Sequence, residues 1–260
     1  MQSSLRILIV ISTMAVLVLG GLHLFNPSIQ LTHGQSVTLD NSTISSTVEA
    51  EKVFQPHSKP YNLTYGEWTA RWWQWAYSIP KESNPAYDDT GQYCSENQQG
   101  PVWFFPGTYG KSAIRECTVP TGKSILFPIL NSECSFAEFP ELKTVEDLRI
   151  CAKTFQDQVT QLHTRVDGRD IPQMELEKYR IESPLFYFTL SENNILDLPT
   201  NTTTAAVSNG NWVFVEPLSP GRHEISFRGD VNSTTDNVTA KSFAFPSGWN
   251  YTTTYELVIK

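Results

Sequence analysis

The sequence is poor in charge and has no clusters of positive charge. Only 18% of its 260 residues are charged, the formal net charge is −8, and no run of Lys and Arg is longer than two residues. Binding to a nucleic-acid backbone requires a basic surface, so we expect no nucleic-acid partner. The hydrophobic content of 40% excludes a wholly disordered chain.

Common motifs for catalysis and metal binding are also missing. The five histidines are scattered, and there is no His-x-x-x-His pair and no Gly-x-Ser-x-Gly elbow. Gly122-Lys-Ser124 looks like the end of a phosphate-binding loop, but the earlier glycine of that motif is replaced by Cys117. Residues 230 to 236 alternate oxygen-bearing side chains but lack the glycine and the final Glu of a calcium loop. We therefore expect no metal and no cofactor, and the sequence favours a role other than catalysis.

The N-terminal segment is long enough to cross a membrane. Residues 7 to 25 carry no formal charge, and as a helix they would span about 28 Å. Either an uncleaved signal-anchor or a cleaved signal peptide fits, and the poor cleavage sequence favours the anchor. Arg6 would stay inside and place the body outside the cell membrane. We thus divide the chain into an anchor or signal (1–25), a Ser/Thr/Pro stalk (26–60) and an extracytoplasmic β-rich domain (61–260).

Cysteines and glycosylation sequons point to the same compartment. The four cysteines are even in number and contain no Cys-x-x-Cys pair, so disulfides are favoured over metal ligation. Three pairings are possible, and we expect Cys94–Cys117 and Cys134–Cys151 because each closes a short loop. Six Asn-x-Ser/Thr sequons suggest a glycoprotein; they begin at Asn41, Asn62, Asn201, Asn232, Asn237 and Asn250.

The element pattern predicts a mainly β (α+β) fold, with β-sandwich-like sheets packed by two helices. A capping box opens a helix at about 64–78, and a second helix is expected at 144–166. Residues 113–119 and 123–130 flank a Pro-Thr-Gly turn and predict a hairpin. The turn at 217–221 is expected to join adjacent strands, and the C-terminal strands are similar to those of immunoglobulin-like sandwiches.

Three motifs resemble an uncharacterised family of secreted prokaryotic proteins. They are Trp68-x-x-Arg-Trp-Trp-Gln-Trp75, Gly100-Pro-Val-Trp-Phe-Phe105 and Cys117-Thr-Val-Pro-x-Gly-Lys-x-x-x-Phe-Pro128. The resemblance covers roughly residues 64 to 135. It implies export and a β-rich fold, and it supplies no catalytic residues.

Aromatic residues provide the candidate binding site. Trp73 and Tyr77 lie off the main apolar stripe of the first helix, so we expect them either to form an exposed platform for a glycan or an envelope protein, or to pack against a second surface. The function predicted first is therefore a binding or envelope-structural role outside the cell, either membrane-anchored or secreted.

Two other functions remain open. A secreted glycan hydrolase would pair Asp88 or Asp89 with Glu133 or Glu138, since such enzymes need two acids about 5 to 10 Å apart. An assembly factor for exported proteins would present an unpaired apolar sheet edge or groove.

Overall fold

The computed structural model describes residues 53 to 109, 111 to 231 and 248 to 260. These residues form ten strands and three α-helices in a mainly β, sandwich-like arrangement of two mixed sheets, which confirms the predicted fold class. The immunoglobulin-like character of the last strands stays a prediction. The helices are α1 (Tyr65–Ser78), α2 (Val145–Gln156) and α3 (Gln173–Leu176). The strands are β1 (Val102–Phe104), β2 (Ala113–Val119), β3 (Ser124–Ser135), β4 (Val159–Val166), β5 (Arg169–Asp170), β6 (Arg180–Glu182), β7 (Phe186–Thr189), β8 (Thr203–Val215), β9 (Gly221–Val231) and β10 (Thr253–Ile259).

The first sheet has the order β1-β3-β8-β6, with β7 also paired to β8, and the second sheet has the order β2-β10-β9-β4-β5. Opposite faces of the first sheet meet different partners. Leu126 and Phe214 belong to the apolar cluster around α1, whereas Ile125 and Phe127 belong to the cluster between the two sheets. Phe127 stacks on Phe227 of the second sheet with 4.6 Å between ring centroids. The first sheet is therefore buried on both faces.

Helix α1 begins at the predicted capping box. The Glu67 backbone N–H donates to the Thr64 hydroxyl, and the Thr64 backbone N–H donates to the Glu67 carboxylate. Most of the helix is buried, on more than one face. Loop residues cover one side, where the Trp75 indole donates to the Glu96 carbonyl, and β7 covers another through Phe188. A helix that is apolar nearly all round has to be enclosed in this way.

The second predicted helix is too long. Helix α2 starts at its capping box on Thr144 and ends at Gln156, and residues 159–166 form β4 instead. In β4 the buried residues are Leu162, Thr164 and Val166, which is the two-residue period of a strand. Because Val159 and Leu162 also fit a helical spacing, periodicity alone could not separate the two structures.

The predicted hairpin and the predicted turn between adjacent strands are both wrong. Strands β2 and β3 lie in different sheets, and β2 pairs in parallel with β10. Strands β8 and β9 are likewise in different sheets. Both Pro/Gly turns therefore carry the chain from one sheet to the other.

The last residues of the predicted stalk contact the domain. Val53 forms a bridge with Val215, the Phe54 N–H donates to the Phe214 carbonyl at 2.9 Å, and the Trp68 indole donates to the Pro60 carbonyl. The anchor or signal predicted at residues 7–25 lies outside the described residues. Among the described helices, none has the length and apolarity needed to cross a membrane.

Candidate functional site

An aromatic cavity of about 340 Å³ lies beside α1. Its walls come from α1 (Trp72 and Trp73), the 106–109 loop, the Pro128–Asn131 segment of β3, and the residues just before β10. Small-molecule sites are concave, mostly apolar and carry a few polar groups, and their volumes start at about 300 Å³. The cavity thus has room for one ring-sized unit of a ligand.

The mouth of the cavity carries a row of aromatic side chains. Tyr109, Trp249 and Tyr251 line the cavity, and Tyr87 stacks on Tyr109 with 5.0 Å between ring centroids. Tyr87 is 42% exposed and Tyr109 is 49% exposed. The Trp249 ring meets Tyr109 edge-on at 6.3 Å. An exposed aromatic surface of the predicted kind exists, but it is built from residues that we did not select from the sequence.

Trp73 and Tyr77 do not form that exposed surface. They are only 6% and 3% exposed, because β7 and the cavity wall cover the side of α1 that we expected to face solvent. Their rings lie 5.2 Å apart, and Tyr77 packs on Phe188 of β7 at 4.4 Å. The expected second packing contact is therefore present, and Trp73 reaches a ligand site only as part of the cavity wall.

Three polar atoms of the cavity wall have no hydrogen-bond partner in the protein. They are Trp73 Nε1, Thr108 Oγ1 and Asn131 Nδ2. Leaving a buried polar group unpaired costs about 1–3 kcal/mol, so native proteins rarely retain such groups without a reason. Two of these atoms are N–H donors and the third is a hydroxyl. Each of these atoms exposes almost no surface, so a ligand with hydrogen-bond acceptors, such as hydroxyl oxygens, would pair with them only after a small movement of the wall.

A bulge in β3 directs Asn131 towards α1. Pro128 lies opposite Trp212 of β8 and Leu130 lies opposite Asn211, so one extra residue is inserted at Ile129. The insertion reverses the alternation, because side chains point to alternate faces of a strand. Asn131 and Glu133 consequently share the face of Trp212. Proline within a strand was the one sequence signal for this bulge.

Gly210 provides the space for this arrangement. It lies directly opposite Asn131 in β8, and a Cβ atom added there would lie 2.7 Å from Asn131 Cβ and 2.8 Å from Trp212 Nε1. Trp212 Nε1 and Ser208 Oγ on the same face also lack hydrogen-bond partners. Unpartnered polar atoms are therefore concentrated between α1 and the first sheet.

The buried guanidinium of Arg115 fixes the loops at the edge of the cavity. Arg115 is 1% exposed, and it donates to the carbonyls of Asp88, Pro106 and Gly107 at 2.5, 3.0 and 3.1 Å. It also donates to the Tyr255 hydroxyl at 2.8 Å. A planar guanidinium can hold several carbonyls at once, which a Lys ammonium cannot do with the same geometry. The role of Arg115 is structural.

Two glutamates, the buried Glu133 and the half-buried Glu138, lie next to the cavity. Tyr77 donates to Glu133 at 2.6 Å, Ser135 donates to Glu138 at 2.6 Å, and the two carboxyl groups lie close enough to shift each other's pKa. Burial raises the pKa of Glu133 well above its usual value, and the neighbouring Glu138 raises it further. Burial also raises the pKa of Glu138, although hydrogen bonds from Glu133 and Ser135 offset part of this effect.

This pair differs from the carboxylate pairs that the hydrolase alternative anticipates. Asp88 is engaged in its own loop, where it accepts from the backbone N–H groups of Thr90 and Tyr93. Asp89 forms an ion pair with Lys111. Sequence reasoning did not join Glu133 to Glu138, because the contact depends on burial and on the bulge.

Ser219, His223 and Asp167 form an arrangement that resembles a hydrolase triad. His223 Nδ1 lies 2.6 Å from Asp167 Oδ2, and Ser219 Oγ lies 3.5 Å from His223 Nε2. However, Nε2 lies only 2.8 Å from the Ser219 carbonyl oxygen, which can only accept a hydrogen bond. The carbonyl oxygen is thus a nearer neighbour of Nε2 than the serine hydroxyl, which is not the arrangement of a general base and its nucleophile. We interpret these contacts as structural, because they hold the 217–221 turn in place.

The other predicted site residues fall into three groups. Both predicted disulfides, Cys94–Cys117 and Cys134–Cys151, are confirmed. Among the sequons, Asn62, Asn201 and Asn250 are exposed, whereas Asn41, Asn232 and Asn237 lie outside the described residues. Over the three described ranges there is no group of three or more His, Cys, Asp or Glu side chains that could hold a metal ion. The disulfides are typical of proteins outside the cytoplasm.

Comparisons with known proteins give little further guidance. No protein-family model and no curated protein matches the sequence. Among solved structures, the cysteine protease inhibitor EhICP2 from Entamoeba histolytica aligns over 61% of this chain and 96% of its own, with 8% identity and a TM-score of 0.22. PbICP-C, solved in complex with falcipain-2, aligns over 62% of this chain and 100% of its own, also with 8% identity and a TM-score of 0.22. Likeness at this level establishes neither a shared fold nor a shared function.

Proposed function

We propose that the protein is an extracellular binding module that holds one sugar ring of a glycan in the aromatic cavity. Residues 7–25 would export the domain and either anchor it in the membrane or be removed, and the exposed sequons would carry glycans of its own. The observation that supports binding is the set of unpartnered polar atoms, Trp73 Nε1, Thr108 Oγ1 and Asn131 Nδ2, in a wall made largely of aromatic, proline and aliphatic residues.

A sugar suits both parts of this wall. The C–H faces of a sugar ring are apolar and pack on indole and phenol rings, while its hydroxyl oxygens accept hydrogen bonds. The stacked pair of Tyr87 and Tyr109 at the mouth would hold the neighbouring sugar of the same glycan. A purely apolar ligand would leave the N–H donors of Trp73 and Asn131 unpaired, so it fits less well.

The test is binding of the purified full chain to a glycan array, followed by calorimetry on the glycans that bind. Trp73→Phe removes one indole N–H from the cavity wall, and Trp103→Phe is the matched control. Trp103 is also buried and its Nε1 is also unpartnered, but it lies in the cluster between the sheets. Losing one hydrogen bond weakens binding about tenfold, so we expect this loss for Trp73→Phe alone.

The same assay tests the mouth of the cavity. Tyr87→Ala with Tyr109→Ala should weaken the binding of oligosaccharides more than that of the single sugar, because the two rings would contact the second unit. Tyr187→Ala is the control, since Tyr187 is 61% exposed and lies on β7. If no glycan binds, or if Trp73→Phe and Trp103→Phe behave alike, the proposal is wrong.

A glycan hydrolase is the second candidate, favoured by the raised pKa values of the buried Glu133 and the half-buried Glu138. Glycosidases place their acids about 5 to 10 Å apart on either side of the scissile bond. Glu133 and Glu138 instead lie side by side, close enough to raise the pKa of Glu133, and neither lines the cavity. Release of reducing sugar from a bound glycan, abolished by Glu133→Gln, would establish the hydrolase in place of the binding module.

A further inference from the structure

Glu133 and Glu138 lie in surroundings that offer no positive charge. Glu133 is 7% exposed, and the charged or titratable groups that act on the two carboxyls are the carboxyls themselves and Tyr77. Tyr109 from the 106–109 loop also faces both of them. β8 contributes only uncharged groups, such as Ser208 opposite Glu133. Within the described ranges, neither carboxyl is paired with a Lys or Arg.

The hydrogen bonds leave one carboxyl oxygen of Glu133 as the place for a proton. Glu133 Oε2 accepts from Tyr77, whereas Oε1 faces no donor in the protein. A proton on Oε1 would turn this atom into a donor, and the neighbouring Glu138 carboxyl would be its acceptor. Glu138 then keeps the negative charge, which the Ser135 hydroxyl stabilises. Two ionised carboxylates in contact would repel each other strongly at this depth.

We propose that Glu133 and Glu138 form a proton-binding site that holds the inner wall of the cavity together, so that the wall loosens when the shared proton is lost. The pair joins β3 to the turn that follows it, and Tyr77 joins both to α1. Two residues of the cavity wall connect the cavity to this pair. Trp73 packs on Tyr77, and the Tyr109 hydroxyl lies near both carboxyls. The proposal goes beyond the proposed function and does not depend on it, since its readouts need no ligand.

Glu133→Gln tests the proton directly. Gln has nearly the same shape as a protonated Glu, accepts from Tyr77 through its carbonyl and donates to Glu138 through its amide. Because the folded-state pKa of Glu133 lies above its unfolded value, the contribution of Glu133 to stability is present at acidic pH and is lost as the pH rises through the folded value. The wild type should therefore lose stability relative to Glu133→Gln as the medium becomes alkaline.

The experiment follows thermal unfolding of the full chain from about pH 4 to about pH 9. We expect similar midpoints at the acidic end and a midpoint at least about 2 °C higher for Glu133→Gln at the alkaline end. Hydrogen exchange of residues 133–139 should accelerate with pH, beyond its intrinsic increase, in the wild type only. Glu141→Gln is the control, because Glu141 is exposed and lies in the same segment.

Three results would each overturn the proposal. The first is that wild type and Glu133→Gln keep a constant difference in midpoint across the whole pH range. The second is that Glu141→Gln changes the pH profile as much as Glu133→Gln does. The third is that Glu133→Gln fails to fold at any pH. If Glu133 is protonated in the folded protein, uncharged Gln should replace it without preventing folding.

Discussion

At the scale of single residues, the site depends on how closely two strands approach. Asn131 reaches the cavity because β3 is bulged at Ile129 and because Gly210 leaves room opposite it. A Cβ atom at 2.7 Å from a neighbouring carbon is closer than van der Waals contact allows. Gly210 is therefore required because a larger residue would not fit opposite Asn131. The sequence around Gly210 and around Asn131 did not indicate this requirement.

We expect Gly210→Ala to lower the free energy of unfolding by about 1–3 kcal/mol, because the added methyl group overpacks the core. It should also weaken glycan binding by displacing Asn131 and the Trp212 indole. Urea unfolding and calorimetry measure the two effects. The comparison is Gly107→Ala, where an added Cβ finds no atom closer than 3.9 Å. Equal stability losses for the two variants would contradict the close approach described for Gly210.

At the scale of elements, local chemistry could be predicted from the sequence and long-range pairing could not. Both helix starts follow from capping boxes, at Thr64 and Thr144, since these bonds form within four residues. The two disulfides were also predictable, because each links cysteines that are near in sequence. The sheet partners of β2 were not, because its neighbour β10 comes more than a hundred residues later. Glu133 and Glu138 are close in sequence, but their contact was not predicted because it depends on burial and on the bulge in β3.

The Cys134–Cys151 disulfide ties α2 to the first sheet, and the Cys94–Cys117 disulfide ties the 84–100 loop to β2. Their partners are separated by 17 and 23 residues in sequence. Replacing either pair by Ala should cost about 2–4 kcal/mol, since each cross-link constrains the unfolded chain. Without the Cys134–Cys151 disulfide, hydrogen exchange should accelerate in residues 145–156. Without the Cys94–Cys117 disulfide, it should accelerate in residues 88–94. Uniform acceleration over the whole domain in both variants would contradict these separate roles.

At the scale of the whole molecule, the features fit a protein that works outside the cytoplasm. Two disulfides cross-link the domain, and the net charge of −8 favours solubility. A cavity lined in part by aromatic rings lies beside helix α1. The sequence predicted the compartment and the aromatic enrichment. It could not predict which rings stay exposed, because α1 is covered on the side of Trp73 and Tyr77 by β7, a strand more than a hundred residues away along the chain.

The most direct test of the central claim follows the indole N–H signals of the full chain by ¹⁵N nuclear magnetic resonance while a glycan selected on the array is added. The binding-module account predicts that the Trp73 signal shifts in proportion to occupancy, because its unpartnered N–H meets a sugar hydroxyl, while the Trp103 signal stays in place. A Trp73 signal that does not respond to a bound glycan, or a Trp103 signal that moves as far, would contradict the assignment of this cavity as the binding site.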